Sequence, residues 1–295
     1  KHKPAKALYE VKDVELTLEH FSPVETDKWI SFGHDLSVQF QTNGHILGST
    51  FIEVNVSGKM FVFSGDVGQV DDLLMYPPKR PQKADVLFVE STYGDRLHKK
   101  EDISAHLRTI ILDTVARGGS VIIPSFAVER TQTLMYMIWQ LHKSGQLPDI
   151  PCIMDSPMGA NVLGIFERYP EWHKLKEKDC VEMCQMSTSV KEFKETQALI
   201  ATTYPKIVIA GSGMVTGGRV LSYLQEYIGK PQNTLLFVGY QGEGTRGRKL
   251  LEGATEIKIY GRYYTVKARM EMIHGLSAHG DQKDLLDWMS EIKNK

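Results

Sequence analysis

Four short apolar runs dominate the middle of the chain: Ser120-Val-Ile-Ile-Pro124, Cys152-Ile-Met-Asp155, Lys206-Ile-Val-Ile-Ala210 and Thr234-Leu-Leu-Phe-Val238. They are too short for helices and too uniformly apolar for half-exposed strands, so they read as strands buried on both faces. Between them lie segments of helical character. Ala127 to His142 is amphipathic and closed by Gly145, Val162 to Tyr169 is a further helix, and another runs through Tyr227. Strand, loop and helix in repeated order require a mostly parallel sheet covered by helices, because parallel neighbours need a crossover. A helix over Ile103 to Ala116, stopped by Gly118-Gly119, precedes the first of these runs.

The flanks have a different texture. Leu36-Ser-Val-Gln-Phe40, Thr50-Phe-Ile-Glu-Val-Asn-Val56 and Lys59-Met-Phe-Val-Phe63 alternate or are rich in β-branched and aromatic residues, and Ser57-Gly58 makes a tight hairpin between the last two. Ala84 to Val89 is a short strand ending at Glu90. After the α/β stretch, Glu256 to Tyr260 and Tyr264 to Ile273 return to hairpin-like strands, and a helix runs from Lys283 to Ile292. The chain is long enough for two cores. The order predicts a β-rich part over 1–97, an α/β insertion over 98–255, and a return to the β-rich part over 256–295.

Bulk properties narrow the function. Net charge is −1 over 295 residues, so nucleic acid is drawn by a local groove rather than by a global field. Basic residues cluster only at Lys99-Lys100, at Arg246-Gly-Arg248-Lys249 and between Arg262 and Arg269; such runs are ordinarily solvated faces. Cys152, Cys180 and Cys184 make no disulfide framework, which points to a reducing, cytoplasmic compartment. No apolar run reaches the ~20 residues of a membrane span, and no signal peptide opens the chain. The start at Lys1-His2-Lys3 lacks an initiating Met, so the expectation is a piece of a longer protein.

Histidines and carboxylates stand where apolar runs end. His45 follows a strand, Asp66 follows Phe61 to Phe63, Glu90 ends the next strand, and His279 lies in Met272-Ile-His-Gly-Leu-Ser-Ala-His279-Gly-Asp281. Alone, His45 reads as a structural histidine and Asp66 as an Asx turn. As a set they offer the nitrogen and oxygen donors that suit a hydrolytic zinc with a free coordination position. A carboxylate bridging two metals serves in-line attack at phosphorus. Ser212, in a glycine turn between a strand end and a helix start, presents backbone N–H groups to an anion. Thr245 and Arg246 lie in the matching loop, and a bare tight turn is the other reading for both loops. Arg130 opens a helix and reads as a cap or an ion pair. His274 and His98 carry no motif support and read as surface or core residues.

At these segments the chain resembles the metallo-β-lactamase-fold nucleases that carry a β-CASP domain. These include the 3′-end-processing endonuclease of messenger-RNA maturation and its bacterial and archaeal relatives. Gly44-His-Ile-Leu-Gly48 is similar to the family's third metal motif and Ser64-Gly-Asp66 to its fourth. Glu90-Ser-Thr-Tyr-Gly94 resembles motif A, and Ser277-Ala-His279 resembles motif B. Pro124-Ser-Phe-Ala-Val-Glu-Arg130, Gly211-Ser-Gly-Met214 and Gly239-Tyr-Gln-Gly-Glu-Gly244-Thr245 resemble the recurrent β-CASP segments. The resemblance implies an α/β protein: a partial metallo-β-lactamase αββα sandwich interrupted by an inserted β-CASP domain with a mostly parallel sheet.

It further implies a zinc-dependent ribonuclease acting on RNA, single-stranded rather than duplex, with no membrane partner and with a homo-oligomer compatible. By the likeness His45 binds one zinc and Asp66 bridges two. Glu90 orients a histidine, and His279 protonates the leaving oxygen. Ser277 contacts a phosphate oxygen or, equally, is a hydroxyl at a helix N-terminus. Ser212, Thr245 and Arg246 hold substrate phosphate.

The family's His-x-His-x-Asp-His motif and its motif C histidine are not in this sequence. The site residues here are therefore expected to be part of a dinuclear centre rather than all of it, and the chain alone is expected to be inactive. Glu90 in motif A resembles the RNA branch, where the DNA branch carries aspartate. The alternatives are a DNA-repair nuclease of the same fold and an inactive scaffold that binds RNA or a partner.

Overall fold

The computed structural model describes residues 7–99 and 101–293. Lys1-His2-Lys3 and Lys100, noted above, lie outside the described residues. Helix α1 (Val11–Leu18) precedes a five-stranded sheet made of β1 (Ile30–Gly33), β2 (Leu36–Thr42), β3 (Thr50–Val56), β4 (Lys59–Phe63) and β5 (Val86–Phe88). Its spatial order is β1-β2-β3-β4-β5, antiparallel except for β5, which runs parallel to β4. The β3–β4 hairpin turns on Ser57 and Gly58, both with positive φ (49° and 86°). That is the turn chemistry whose twist matches two right-twisted strands.

The second sheet is wholly parallel. It contains β6 (Val121–Pro124), β7 (Cys152–Asp155), β8 (Ser187–Ser189), β9 (Ile207–Ala210), β10 (Thr234–Phe237) and β13 (Arg269–Met272), in the order β13-β10-β6-β9-β7-β8. Every residue of β6, β7, β9 and β10 is buried, as their uniformly apolar sequences require for a sheet covered on both faces. One face packs against α2 (Ile103–Ala116), α3 (Arg130–Lys143), α4 (Pro157–Arg168) and α5 (Glu177–Met186). The other packs against α6 (Phe193–Ala201), α7 (Val220–Tyr227), α8 (Arg246–Leu251) and the hairpin of β11 (Glu256–Ile259) with β12 (Arg262–Thr265). No helix among the described residues is long and apolar enough to cross a membrane.

The hairpin expected after Glu256 is found only in its first half. Residues 269–272 pair in parallel with β10, Thr234 opposite Arg269 and Phe237 opposite Met272. The reason is tertiary: β10 needs a partner on its free side, and the crossover is anchored where Lys267 and Ala268 donate to the Ile228 carbonyl (2.9 Å each). Helix α3 begins at Arg130 rather than Ala127, because Glu129 has a positive φ (65°) and helix cannot form through it.

After β13 the chain runs through a loop carrying His279 into α9 (Gln282–Met289), which packs on the first sheet. Trp288 is buried against Phe51 in an edge-to-face contact (5.4 Å between centroids) and donates from Nε1 to the Lys79 carbonyl (2.7 Å). Residues 273–281 therefore bridge the two sheets. Because the second sheet is parallel, the loops after β6, β9, β10 and β13 all leave its C-terminal edge, the side on which α/β sheets bind ligands.

Candidate metal centre and cleft

His45 and Asp66 are brought together by two loops whose backbones touch. A Cβ at Gly68 would lie 2.1 Å from the Gly44 carbonyl oxygen, and one at Gly44 would lie 2.6 Å from that of Tyr76. Only glycine permits either approach. Asn43, buried between these loops, binds both. Its Nδ2 donates to the Ser64 carbonyl (3.0 Å), its Oδ1 accepts from the Ser49 hydroxyl (2.5 Å), and its carbonyl accepts from Gly68 N–H (2.8 Å). His45 Nε2 then lies 3.7 Å from Asp66 Oδ2.

His279 arrives from the other sheet and is fixed at several points. It forms an antiparallel bridge with Gly68, and Gly280 N–H donates to the Val67 carbonyl (2.7 Å). Its ring lies 4.5 Å from that of His45. Behind it, Glu90 accepts from Nδ1–H at 3.0 and 3.2 Å, and Oε1 also accepts from Val67 N–H (2.5 Å). Glu90 follows β5, and its own N–H donates to Ser64 Oγ beside the end of β4 (3.0 Å). The parallel β4–β5 pair thus sets Asp66 and Glu90 side by side.

The two histidines are driven apart electrostatically. Burial, and then the neighbouring His279, lower the pKa of His45 and keep it neutral, as a metal ligand must be. The bond from Glu90 raises that of His279 and favours its imidazolium. Burial opposes ionisation of Glu90, but the bonds from His279, Thr92 and Val67 outweigh it, and its pKa is lowered.

His45, Asp66 and His279 each offer one ligand atom within 4.8 Å of the others. Among the described residues His45 Nδ1 has no hydrogen-bond partner, and it is buried. The His45 imidazole, with an uncommitted nitrogen, and the exposed carboxylate of Asp66 are donors of the kinds that fit zinc, whose bonds to nitrogen and oxygen are ~2.0–2.2 Å, and the His279 imidazole stands beside them. Among the described residues no other group of three ligands converges.

His98 is the residue that the sequence reading passed over. Its Nε2–H donates to the His279 carbonyl (2.9 Å), and its N–H donates to Asp281 Oδ2 (2.8 Å). The available signal was its place four residues after the Glu90 to Gly94 motif. His274 is exposed, as expected.

Ser277 is not a helix cap. Asp281 caps α9, accepting from Lys283 and Asp284 N–H (2.8 and 3.1 Å), while Ser277 Oγ accepts from His279 N–H (3.1 Å) and shapes the loop. The loops of Ser212 and Thr245 are neighbours, joined where Gln241 Nε2 donates to the Gly213 carbonyl (2.9 Å). Their side chains are committed locally. Ser212 Oγ accepts from Thr216 N–H (3.2 Å), and Thr245 caps α8, accepting from Arg248 N–H (3.2 Å). Helix α7 begins at Val220, well beyond Ser212, so no helix N-terminus opens at that residue.

Arg246 donates to the carbonyls of Lys258 (2.7 Å), Thr216 (3.1 Å) and Val215 (3.3 Å). Its guanidinium ties the hairpin and two loops together through Nε and Nη1. Arg130 donates to the Val238 carbonyl, joining the start of α3 to the end of β10.

An α/β chain with two sheets, and a His–Asp–His cluster where they meet, has the architecture of a metallo-hydrolase carrying an inserted parallel-sheet domain. Comparison with known proteins agrees. A Beta-Casp domain model matches residues 131–250, and a Zn-dependent metallo-hydrolase RNA specificity domain model matches residues 263–295. The chain is 34% identical over 287 residues to Ribonuclease TTHA0252 of Thermus thermophilus, covering 94% of this chain and 65% of that protein. It is 32% identical over 288 residues to an RNase J-like protein of Methanocaldococcus jannaschii, covering 96% and 68%. Transcription termination factor FttA of Methanosarcina mazei is 28% identical over 303 residues, covering 97% and 47%.

The chain belongs to the β-CASP family of Zn-dependent metallo-hydrolases. It spans about two thirds of the first two relatives' length and about half of the third's. A solved structure of a protein of unknown function from Enterococcus faecalis V583 shares the fold at a TM-score of 0.51 and 9% identity, covering 92% of this chain and 60% of that one.

Proposed function

We propose that the protein is a zinc-dependent phosphodiester hydrolase acting on RNA, single-stranded rather than duplex. The observation that carries this reading is the convergence of His45, Asp66 and His279 from two sheets, with Glu90 behind His279. The ribonuclease names of two of these relatives, and the RNA specificity model over residues 263–295, support RNA as the substrate. The complete centre holds two zinc ions, for which His45 and Asp66 supply part of the ligand set. When bound, zinc supplies positive charge for the phosphoryl oxygens and acidifies a water.

The chain's own residues do the rest. His45 and Asp66 present neutral nitrogen and anionic oxygen. Glu90 holds the Nδ1–H of His279 and so aims its other nitrogen at the cluster. Its charge favours the protonated ring, which leaves a proton on Nε2 for the leaving oxygen. His98 clamps the backbone of the same histidine. The domain limit at 97 and phosphate contacts at Ser212 and Ser277 are part of the same proposal; the limit expected at 255 is not kept, because the β11–β12 hairpin packs on the second sheet and β13 pairs with β10.

The test is cleavage of matched RNA and DNA oligonucleotides of one sequence, with zinc present or chelated, for a full-length protein that contains this chain and for its Asp66→Asn variant. Zinc-dependent cleavage of RNA alone, lost in the variant, is expected. Equal cleavage of DNA, or RNA cleavage indifferent to chelation, overturns the reading.

A further inference from the structure

Two aromatic rings on loops at the C-terminal edge of the second sheet are open to solvent. Phe126, in the loop after β6, is 45% exposed, and Tyr240, in the loop after β10, is 60% exposed. Isolated exposed rings are ordinary. These two differ in how firmly the fold presents them. Ser125 N–H donates to the Ala210 carbonyl (2.9 Å), and the Thr131 hydroxyl donates to the carbonyl of Phe126 itself (2.6 Å). At the far end of the same loop Glu129 is buried, its Oε1 accepting from the Thr133 hydroxyl (3.1 Å) while its Oε2 has no partner among the described residues. The Phe126 ring lies against the backbone of Gly213, where a Cβ would come within 2.8 Å of Cδ2. Gln241 Nε2 donates to the carbonyls of Gly239 (3.0 Å) and Gly213 (2.9 Å), which fastens the Tyr240 loop to the same turn.

The surroundings are basic and continuous with the His279 loop. Arg96 and Arg248 are both exposed. Asp95 foremost raises the pKa of Arg96, and Tyr93 and Tyr240 act in the same direction; Glu252 foremost raises that of Arg248, and Tyr240 again adds to it. Tyr240 therefore stands within the field of both guanidinium groups. That of Arg96 lies 5.9 Å from the centre of the Tyr93 ring, which is itself 6.2 Å from the ring of His279. The Arg96 carbonyl also accepts from the N–H of Gln282, just past His279 (3.0 Å). Both arginines are held by exposed carboxylates, Arg96 by Asp95 (2.7 Å) and Arg248 by Glu252 (2.6 Å). Such exposed pairs contribute little, so exchange of the carboxylate for a phosphate costs little.

We propose that Phe126 and Tyr240 are a stacking platform for the bases of a single-stranded RNA, whose phosphates Arg96 and Arg248 hold on the way to His279. The inference rests on the RNA reading above and adds the residues that select a single strand. Flat apolar faces interleaved with cations match a strand whose bases are unstacked, and every base offers such a face. In a duplex each base is already stacked on its neighbours and has no face to give. The platform therefore selects strandedness and tolerates sequence.

The test is fluorescence anisotropy of a labelled oligoadenylate on a full-length protein that contains this chain, in a His279→Ala background expected to cleave too slowly to disturb binding. The oligoadenylate is expected to bind more tightly than the same strand without bases, and more tightly than its duplex. Phe126→Ala and Tyr240→Ala are each expected to weaken it ~5–150-fold, the range for one base stacked on an aromatic side chain. Each variant is expected to bind the abasic strand as its parent does, which also reports that it is folded, and Tyr240→Phe, which keeps the ring, to bind oligoadenylate as the parent does. Arg96→Gln is expected to weaken both strands alike and to flatten the salt dependence. Equal losses for the base-bearing and abasic strands, undiminished binding by either alanine variant, or a duplex bound as tightly as the single strand overturns the assignment. Ring-dependent binding that is equally tight for the deoxy strand keeps the platform and counts against the RNA reading. Cleavage of RNA by the parent protein with ring-indifferent binding does the reverse.

Discussion

Replacing Glu129 by glutamine makes a quantitative demand on the structure. Burial raises the pKa of this carboxyl from its ordinary value of 4.5 to about 8, and the charge of Asp72 adds to the effect. Thr133 and Arg130 oppose it, and Arg130, itself lowered to about 10 by burial, stays charged below that pH. In the unfolded chain the group releases its proton near 4.5, whereas in the folded protein it keeps the proton until about 8. The folded state therefore binds more protons across this window. The stability the group contributes is fully present below pH 4.5 and is lost as pH rises through 8. At ~1.4 kcal/mol per pH unit, wild type loses about 3 kcal/mol by pH 7 and approaches about 5 kcal/mol above pH 8.

Glutamine does not ionise and carries no such loss. Urea unfolding of both proteins at pH 5, 7 and 9 measures it directly. The stability difference between variant and wild type is expected to move in favour of Glu129→Gln by about those amounts as pH rises. His45, His279 and every other group common to both proteins cancels in that difference. Parallel stability curves across the range would refute the buried, unpaired carboxyl.

In a full-length protein that contains this chain, His279→Ala is expected to leave bound zinc near its wild-type level and to lower RNA cleavage by ~10²–10⁴-fold, the usual effect of losing a general acid. Loss of metal and activity together would make His279 a ligand. With His45 and Asp66 as its shared ligands, the chain is expected to hold fewer than two zinc ions by metal analysis. Two ordered ions bridged by Asp66 in an anomalous map would contradict that. His98→Ala removes the bond to the His279 carbonyl and is expected to lower kcat by ~10–100-fold with KM little changed, the scale of lost supporting contacts. An unchanged kcat would show that the clamp is idle. Gly68→Ala pushes the Gly44 loop away and is expected to cost ~2–4 kcal/mol in urea unfolding and to lose zinc, since overpacking here separates His45 from Asp66. A variant as stable as wild type would show that the two loops are not in contact.

Local sequence was sufficient for the parallel sheet. Val121 to Pro124, Ile207 to Ala210 and Thr234 to Phe237 are apolar on both faces, and only a sheet covered twice accepts such strands. The positions of His45, Asp66, Glu90 and His279 at the ends of apolar runs were equally legible, because strand ends are written locally by turn residues. So were the Ser57-Gly58 hairpin and the limits of α2, where propensity and stop signals agree. Partners across the fold were not legible. Whether residues 269–272 close a hairpin or extend the second sheet depends on the free side of β10. Whether Arg246 meets phosphate or three carbonyls depends on loops far away in sequence.

The same holds for His98, which gains a role only when the chain returns with His279 some 180 residues later. It holds also for Glu129, a polar residue at a helix start in sequence, whose buried and unpartnered oxygen exists only because four separate segments close around it. Element type follows from neighbours a few residues apart. Proton affinity, ligand geometry and cavities follow from long-range packing, which no window of sequence contains.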